Sequence, residues 1–171
     1  KPMEDREVGW LFKSPIGDGG QWTTFADNVM KYGLVPTDAM PDTYQSENTK
    51  IMSKLLRRKL REDGMKMRAL ANSKMTEELK EEAKLEMLSE IYRILVLSLG
   101  EPPTEFEWQF KDKDGNISEE KTYTPKQFYD DLVGIDLSEY IMFMNDPVRE
   151  YNKVYEVQYD RNLVEGGNWK Y

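Results

Sequence analysis

TEELKEEAKLEMLSEIYRILVLSLGEPPTEFEWQF, residues 76–110, decides the fold class of this chain. Its first part reads as a helix from Thr76 to Leu99. Thr76 stands as an N-cap, and Glu77 and Glu78 fill the first turn, where acids favour the helix dipole. Leu79, Ala83 and Met87 recur at helical spacing. Ile91 to Leu99 is nearly all apolar, which predicts burial on most sides. Gly100, Pro102 and Pro103 stop the helix. The period then changes: Phe106, Trp108 and Phe110 alternate with polar residues, the pattern of a half-buried strand.

Upstream, a second long helix is predicted from Ser46–Thr49 to Ala71. Met52, Leu56, Leu60, Met67 and Leu70 form its apolar stripe with Leu55 beside it, and basic residues take the other face. Gly64 weakens its middle and predicts a bend. The short link Asn72–Met75 makes the two helices an antiparallel hairpin. Before them, a helix from Gln21 to Tyr32 carries Phe25, Val29 and Tyr32 at helical spacing, with Gly33 as its stop. Residues 1–16 are mixed, with a short apolar patch at Trp10, Leu11 and Phe12. Downstream, Asp114-Gly115 reads as a hairpin turn and Ile117–Tyr123 as the returning strand. Thr124-Pro125 opens a helix that carries Phe128, Tyr129, Leu132 and Val133 inward. Tyr140–Met144 and Val154–Tyr159 are further strand candidates, and Gly166-Gly167 is a turn.

Composition bounds the function. The 171 residues suffice for a domain with a real core, at 39% apolar and 33% charged. No apolar run reaches the ~20 residues that cross a bilayer. The chain contains no cysteine and no histidine. That removes disulfides, Cys/His zinc sites and any thiol–imidazole catalysis from within it. A net charge of −8 argues against nonspecific binding of nucleic acid. The charge is uneven: residues 50–74 hold nine Lys/Arg against Glu62 and Asp63, a net of +7, while residues 101–171 net −8. A basic face of this kind suits an anion or polyanion. The simpler reading packs it near the acidic segment Glu77–Glu90 or against a second subunit.

Several motifs fail on their spacing. Asp112-Lys113-Asp114-Gly115-Asn116 suggests a calcium loop, but counting from Asp112 puts Gly115 fourth and Tyr123 twelfth, where an EF-hand needs Gly sixth and Glu twelfth. An ordinary hairpin turn fits instead. No acid pair stands out for glycoside hydrolysis among 32 carboxylates. The aromatic alternation at Phe106, Trp108 and Phe110 reads as one face of a packed sheet before it reads as a stacking platform. Neither a phosphate-binding glycine motif nor a serine nucleophile elbow is present.

A set of ordered segments carries more. Asp18-Gly19-Gly20-Gln21-Trp22 leads into Tyr32-Gly33-Leu34-Val35-Pro36 and Met40-Pro41-Asp42-Thr43. Then come Ile91-Tyr92-Arg93-Ile94-Leu95, Leu99-Gly100-Glu101-Pro102-Pro103, Asn145-Asp146-Pro147 and Asn162-Leu163-Val164-Glu165-Gly166-Gly167. In this order they resemble the bleomycin hydrolase/aminopeptidase C family of papain-like cysteine peptidases, over nearly the whole chain. Asp42 departs from the family pattern, which has Glu there.

The resemblance implies an exo-acting peptidase that removes N-terminal residues, assembles as a homohexamer and needs no cofactor; it points to the cytoplasm, with export as the open alternative. Its nucleophilic Cys and oxyanion Gln would precede Lys1, and its His and Asn would follow Tyr171. No catalytic residue lies in this span, so the chain alone should be inactive. Gly19 and Gly20 match the papain-type glycine pair, whose backbone pairs with extended peptide substrate. Gln21 and Trp22 match neighbours bordering the subsite for the substrate's second residue. The expected architecture is α+β: a long antiparallel helical hairpin plus a small antiparallel sheet, part of a papain-like fold with insertions. Residues 1–45 would form the cleft-wall segment, 46–100 the hairpin insertion and 101–171 a hairpin/helix/strand segment. The competing reading is a non-catalytic helical interaction module that uses the basic face of residues 50–74.

Overall fold

The computed structural model describes residues 1–17, 19–143 and 145–156. They fall into two compact units: residues 1–18 with 40–102, and residues 19–39 with 103–171.

The first unit is helical: α1 Arg6–Lys13, α3 Tyr44–Glu47, α4 Lys50–Ala71 and α5 Glu77–Leu99, with α2, Trp22–Tyr32, belonging to the other unit. α4 and α5 form the expected antiparallel hairpin. Met52 and Leu56 on the α4 stripe are buried, and Leu60, Met67 and Leu70 are half-buried. Leu55 stays exposed. The hairpin is also pinned by charge. Lys59 reaches Glu90 across the pair and lies 3.1 Å from Asp63 on its own helix. Asp63 is 5% exposed, and neither of its oxygens has a well-directed hydrogen bond. The Lys59 charge, with Lys66 at 3.9 Å, therefore offsets its burial. Thr43 ties the N-terminus of α3 to the far end of α5. Its hydroxyl donates to the Ser98 carbonyl at 2.8 Å, one of the last carbonyls of α5, which have no partner within the helix.

The long helix begins only at Lys50, because Thr43 and Ser46 make a capping box for a separate turn, α3, that ends at Asn48. α4 then runs unbroken through Gly64. Glycine stands there for space: an added Cβ would come within 3.0 Å of the Phe12 ring. The apolar end of α5 is not enclosed. No α5 residue is fully buried, and Leu97 is 77% exposed. Apolar content predicts that a surface will be covered, and nothing among the described residues covers this one on all sides.

α1 corresponds to no predicted element. Asp5 caps it by accepting the N–H groups of Glu7 and Val8 at 2.9 and 3.2 Å.

The second unit contains α2 Trp22–Tyr32, the two-stranded sheet β1 Phe106–Trp108 and β2 Lys121–Tyr123, and α6 Pro125–Phe128, which continues as a π-helical turn Tyr129–Val133. The strands are antiparallel, with Phe106 opposite Tyr123 and Trp108 opposite Lys121. The alternation has a clear cause. Phe106, Trp108 and Tyr123 all meet the Phe128 ring edge-on, at centroid distances of 5.4, 5.7 and 6.0 Å. Phe110 lies beyond this cluster and is exposed, and the ladder breaks before an isolated Lys111–Ile117 bridge. The turn is an ordinary one. Asp112 Oδ1 accepts the N–H groups of Asp114 and Asn116, and Gly115 has a φ of 89°. These bonds, first those of Asn116, hold the Asp112 carboxyl below its usual range. The carboxylate is thus spent on the turn.

α6 starts as predicted, with Pro125 at its first position and a Thr124–Gln127 capping box. Its inward set is narrower than expected. Tyr129 is buried with Ala26, Val29 and Leu137, while Leu132 and Val133 are exposed. The π-helical turn rotates them off the core-facing side. Tyr140–Met144 is not a strand at its described positions. A 3₁₀ turn, Leu137–Glu139, precedes it and irregular backbone follows. Val154–Tyr159 lies partly outside the described residues, and its described part holds only a bridge at Glu156. Gly166-Gly167 lies outside them altogether. Among the described residues no helix is long and apolar enough to cross a membrane.

Candidate functional site: an exposed glycine pair before α2

Gly19 and Gly20 are exposed, and nothing lies within 4 Å of where a Cβ would stand on either. Neither has the left-handed φ that demands glycine. Nothing among the described residues therefore requires glycine at these two positions. Gly9 and Gly17 are equally unconstrained, so this freedom gains meaning from position. The pair leads directly into α2.

Gln21, extended at φ −96° and ψ 156°, is the N-cap of α2 and is exposed. Trp22 is its first helical residue, 42% exposed. The buried face of α2 is Thr23, Ala26, Asp27 and Val29. The stripe read through Phe25, Val29 and Tyr32 is corrected accordingly: Val29 turns inward, while Phe25 and Tyr32 face outward. The core contributed by Tyr129 and Leu137 meets the small side of the helix, around Ala26. This leaves an aromatic surface beside the glycines. The Trp22 ring lies 5.5 Å from Phe25 and 6.4 Å from Tyr140, and all three are exposed. Sequence reasoning finds Trp22 but not Phe25 or Tyr140. The spacing of Phe25 from Trp22 was the available signal for it, and Tyr140 comes from a distant segment with none.

No thiol, thiolate or imidazole is available anywhere in the chain. Among the described residues no group of three acids stands together as metal ligands. What this surface offers is backbone and aromatic faces, which suit holding a peptide rather than cleaving one.

The model of the Peptidase C1-like family matches residues 1–171. The chain belongs to the Peptidase C1-like family. Within that family it is 43% identical to an aminopeptidase C of Lactobacillus delbrueckii subsp. lactis over 169 residues, covering 97% of this chain and 37% of the relative. It is 36% identical to the bleomycin hydrolase of Rattus norvegicus over 170 residues, with 97% and 37% covered. A crystal structure of PepW from Lactobacillus rhamnosis HN001 superposes with a TM-score of 0.91 at 36% identity, over 99% of this chain and 39% of that one. The Peptidase C1-like chain thus spans well under half the length of the relatives it matches, and its α+β architecture is part of their papain-like fold.

Proposed function

We propose that this chain is the central region of a cysteine-type aminopeptidase and forms one wall of its substrate cleft. The nucleophilic thiol and the imidazole base lie in sequence outside these 171 residues. The reaction is thiolate attack on the first peptide carbonyl, release of the shortened peptide, and hydrolysis of the acyl-enzyme. Gly19 and Gly20 contribute backbone N–H and C=O groups to the substrate, and Gln21 and Trp22 border the next subsite. The enzyme is a cytoplasmic homohexamer in this reading.

One observation carries it. Gly19 and Gly20 are exposed, free of constraint from the other described residues and followed at once by an exposed aromatic patch. An approaching peptide backbone is what would require the missing Cβ atoms. The interaction-module reading is not favoured, since part of its basic face is engaged within the chain. Arg57, Arg61 and Arg68 on the basic face donate to backbone carbonyls of residues 1–16, and Lys59 is bound to Asp63 and Glu90.

The test uses the full-length enzyme and an aminoacyl anilide. Iodoacetamide should abolish hydrolysis. Gly20→Val should raise KM about tenfold or more, the loss of one or two backbone hydrogen bonds to substrate. Hydrolysis that survives iodoacetamide would end the cysteine-peptidase reading. An unchanged KM in Gly20→Val would end the assignment of the glycine pair.

A further inference from the structure

Many charged side chains in this chain meet an opposite charge three or four residues away: Lys80 with Glu77, Lys84 with Glu81, Lys126 with Asp130 and Arg149 with Asp146. A group of carboxylates in the second unit does not. Asp38, Glu107 and Glu120 line an open groove of about 330 Å³ at the end of the β1–β2 sheet. All three are exposed, and none of their carboxylates has a hydrogen bond or ion pair among the described residues. Lys111 lines the same groove, and its ammonium is unpaired as well. Three carboxylates against one ammonium leave the groove at −2.

The groove also has an apolar side. Trp108 in its lining is half-buried, while Phe110 and Ile117 are 49% and 65% exposed. The sheet explains why these residues share one place. Trp108 pairs with Lys121, and the ladder resumes at Lys111 and Ile117. Gln109 and Phe110 therefore stand against three residues, Ser118, Glu119 and Glu120. The extra residue makes a bulge, which raises the local twist and re-aims side chains. Phe110 is fixed there by Ser118: its N–H donates to Ser118 Oγ at 3.0 Å, and its carbonyl accepts the Ser118 N–H at 2.9 Å.

A ligand for this groove must combine an apolar body with positive charge. Among the described residues no three acids stand together as metal ligands, so the carboxylates make a spread negative field and not a chelate. Arginine and lysine side chains have the right form. Their alkyl stems can lie along Phe110 and Ile117 while the charged head meets the carboxylates, and aromatic faces attract the same cation. The groove is open, whereas sites for small molecules enclose most of their ligand. That favours a side chain carried on a longer molecule. β1 and β2 make a sheet of two, so each keeps one edge with no strand beside it, where an extended peptide can bond its backbone.

We propose that this groove is a binding site for peptides bearing arginine or lysine, with Asp38, Glu107 and Glu120 reading the charge and Phe110 and Ile117 receiving the stem. The proposal does not depend on the reading of Gly19 and Gly20.

The test uses the full-length protein and a fluorescein-labelled, acetyl-capped peptide of alternating alanine and arginine, followed by anisotropy at low salt. Wild type binds. The combined variant Asp38→Asn, Glu107→Gln, Glu120→Gln weakens Kd about tenfold or more, and Phe110→Ala weakens it about threefold. Lys111→Gln removes the resident cation and tightens Kd about two- to fivefold, a gain that misfolding does not produce. Glu77→Gln, Glu78→Gln, Glu81→Gln is the control: it removes the same charge in the first unit and leaves Kd within about twofold. If the combined variant does not fold, Glu120→Gln and Lys111→Gln alone must shift Kd in opposite directions. No binding by wild type, wild-type affinity in the groove variants, or an equal loss in the control overturns the proposal. Spermidine displacing the probe as well as the unlabelled peptide does would overturn the choice of a peptide.

Discussion

Replacing Gly33 with alanine should damage the second unit more than any other single methyl addition among its described glycines. Gly33 ends α2 at φ 81° and ψ −158°, a conformation that essentially only glycine adopts. Forcing alanine into it costs about 1–3 kcal/mol. The new Cβ would also stand 2.0 Å from the Pro125 carbonyl oxygen and 2.4 Å from the Lys126 nitrogen. These are backbone atoms at the start of α6, so no side-chain rotation relieves the clash. Moving them breaks the Leu34 N–H bond to Pro125, now 3.0 Å, at about 1 kcal/mol, and overpacks the α2–α6 contact at about 1–3 kcal/mol more. The sum is about 3–7 kcal/mol. Gly20→Ala is the control. It has open space and no left-handed φ, and should change stability by less than about 0.5 kcal/mol. Both variants would be unfolded in urea beside wild type in the same host protein, followed by tryptophan fluorescence. With a slope of about 2 kcal/mol per molar, Gly33→Ala should lower the midpoint by about 1.5 M or more. A drop under about 0.5 M would refute the claim that backbone approach, rather than turn preference, fixes glycine at this position.

Lys59→Met leaves the buried Asp63 without its nearest cation and should cost about 1–3 kcal/mol by urea unfolding, with part of the loss recovered when Asp63→Leu is added. Acid should weaken the hairpin in a defined direction. The hydrogen bond and charge of Lys59 hold Glu90 below its ordinary 4.5, and those of Lys66 do the same for Glu62. A carboxylate held low in the folded state stabilises above its unfolded pKa and loses that contribution as pH falls through its folded one. Thermal melts by circular dichroism should therefore shift down below about pH 4.5, and less so in Glu90→Gln. Lys59 is raised above 10.5, chiefly by Glu90, so its contribution is complete below that pH and fades only at stronger alkalinity.

The long helices are legible because a 3.6-residue apolar period extends over many turns, and Thr76, Thr124 and Pro125 mark their starts with side-chain chemistry that acts locally. α1 is short and its apolar residues are contiguous, so period gives no signal. Asp5 followed by Glu7 was the readable cue. The burial expected for Ile91–Leu99 fails for a different reason: apolarity says that a surface seeks cover and does not say from which stretch of chain the cover comes. The π-helical turn at Tyr129–Val133 shifts side-chain directions in a way no periodic count anticipates. At the candidate site, the glycines and Trp22 are visible as a motif. In the first unit, the hydrogen bonds of Arg61 to the end of α1 are not legible, because their acceptors are carbonyls, which every residue has, and only the fold selects which ones Arg61 meets.

Neither compact unit is continuous in sequence, and this sets an order of events during synthesis. Residues 19–39 leave the ribosome ahead of Tyr129 and Leu137, which complete the core around Ala26 and Val29 and follow about a hundred residues later. At ordinary translation speeds of about 5–20 residues per second, α2 waits for about 5–20 seconds with its inner face uncovered. During that interval the first unit, whose last residue is Pro102, can close around the nascent chain and draw α2 into a loop. The glycine pair at the root of that loop is thus joined to the first unit before Tyr129 and Leu137 arrive to cover α2.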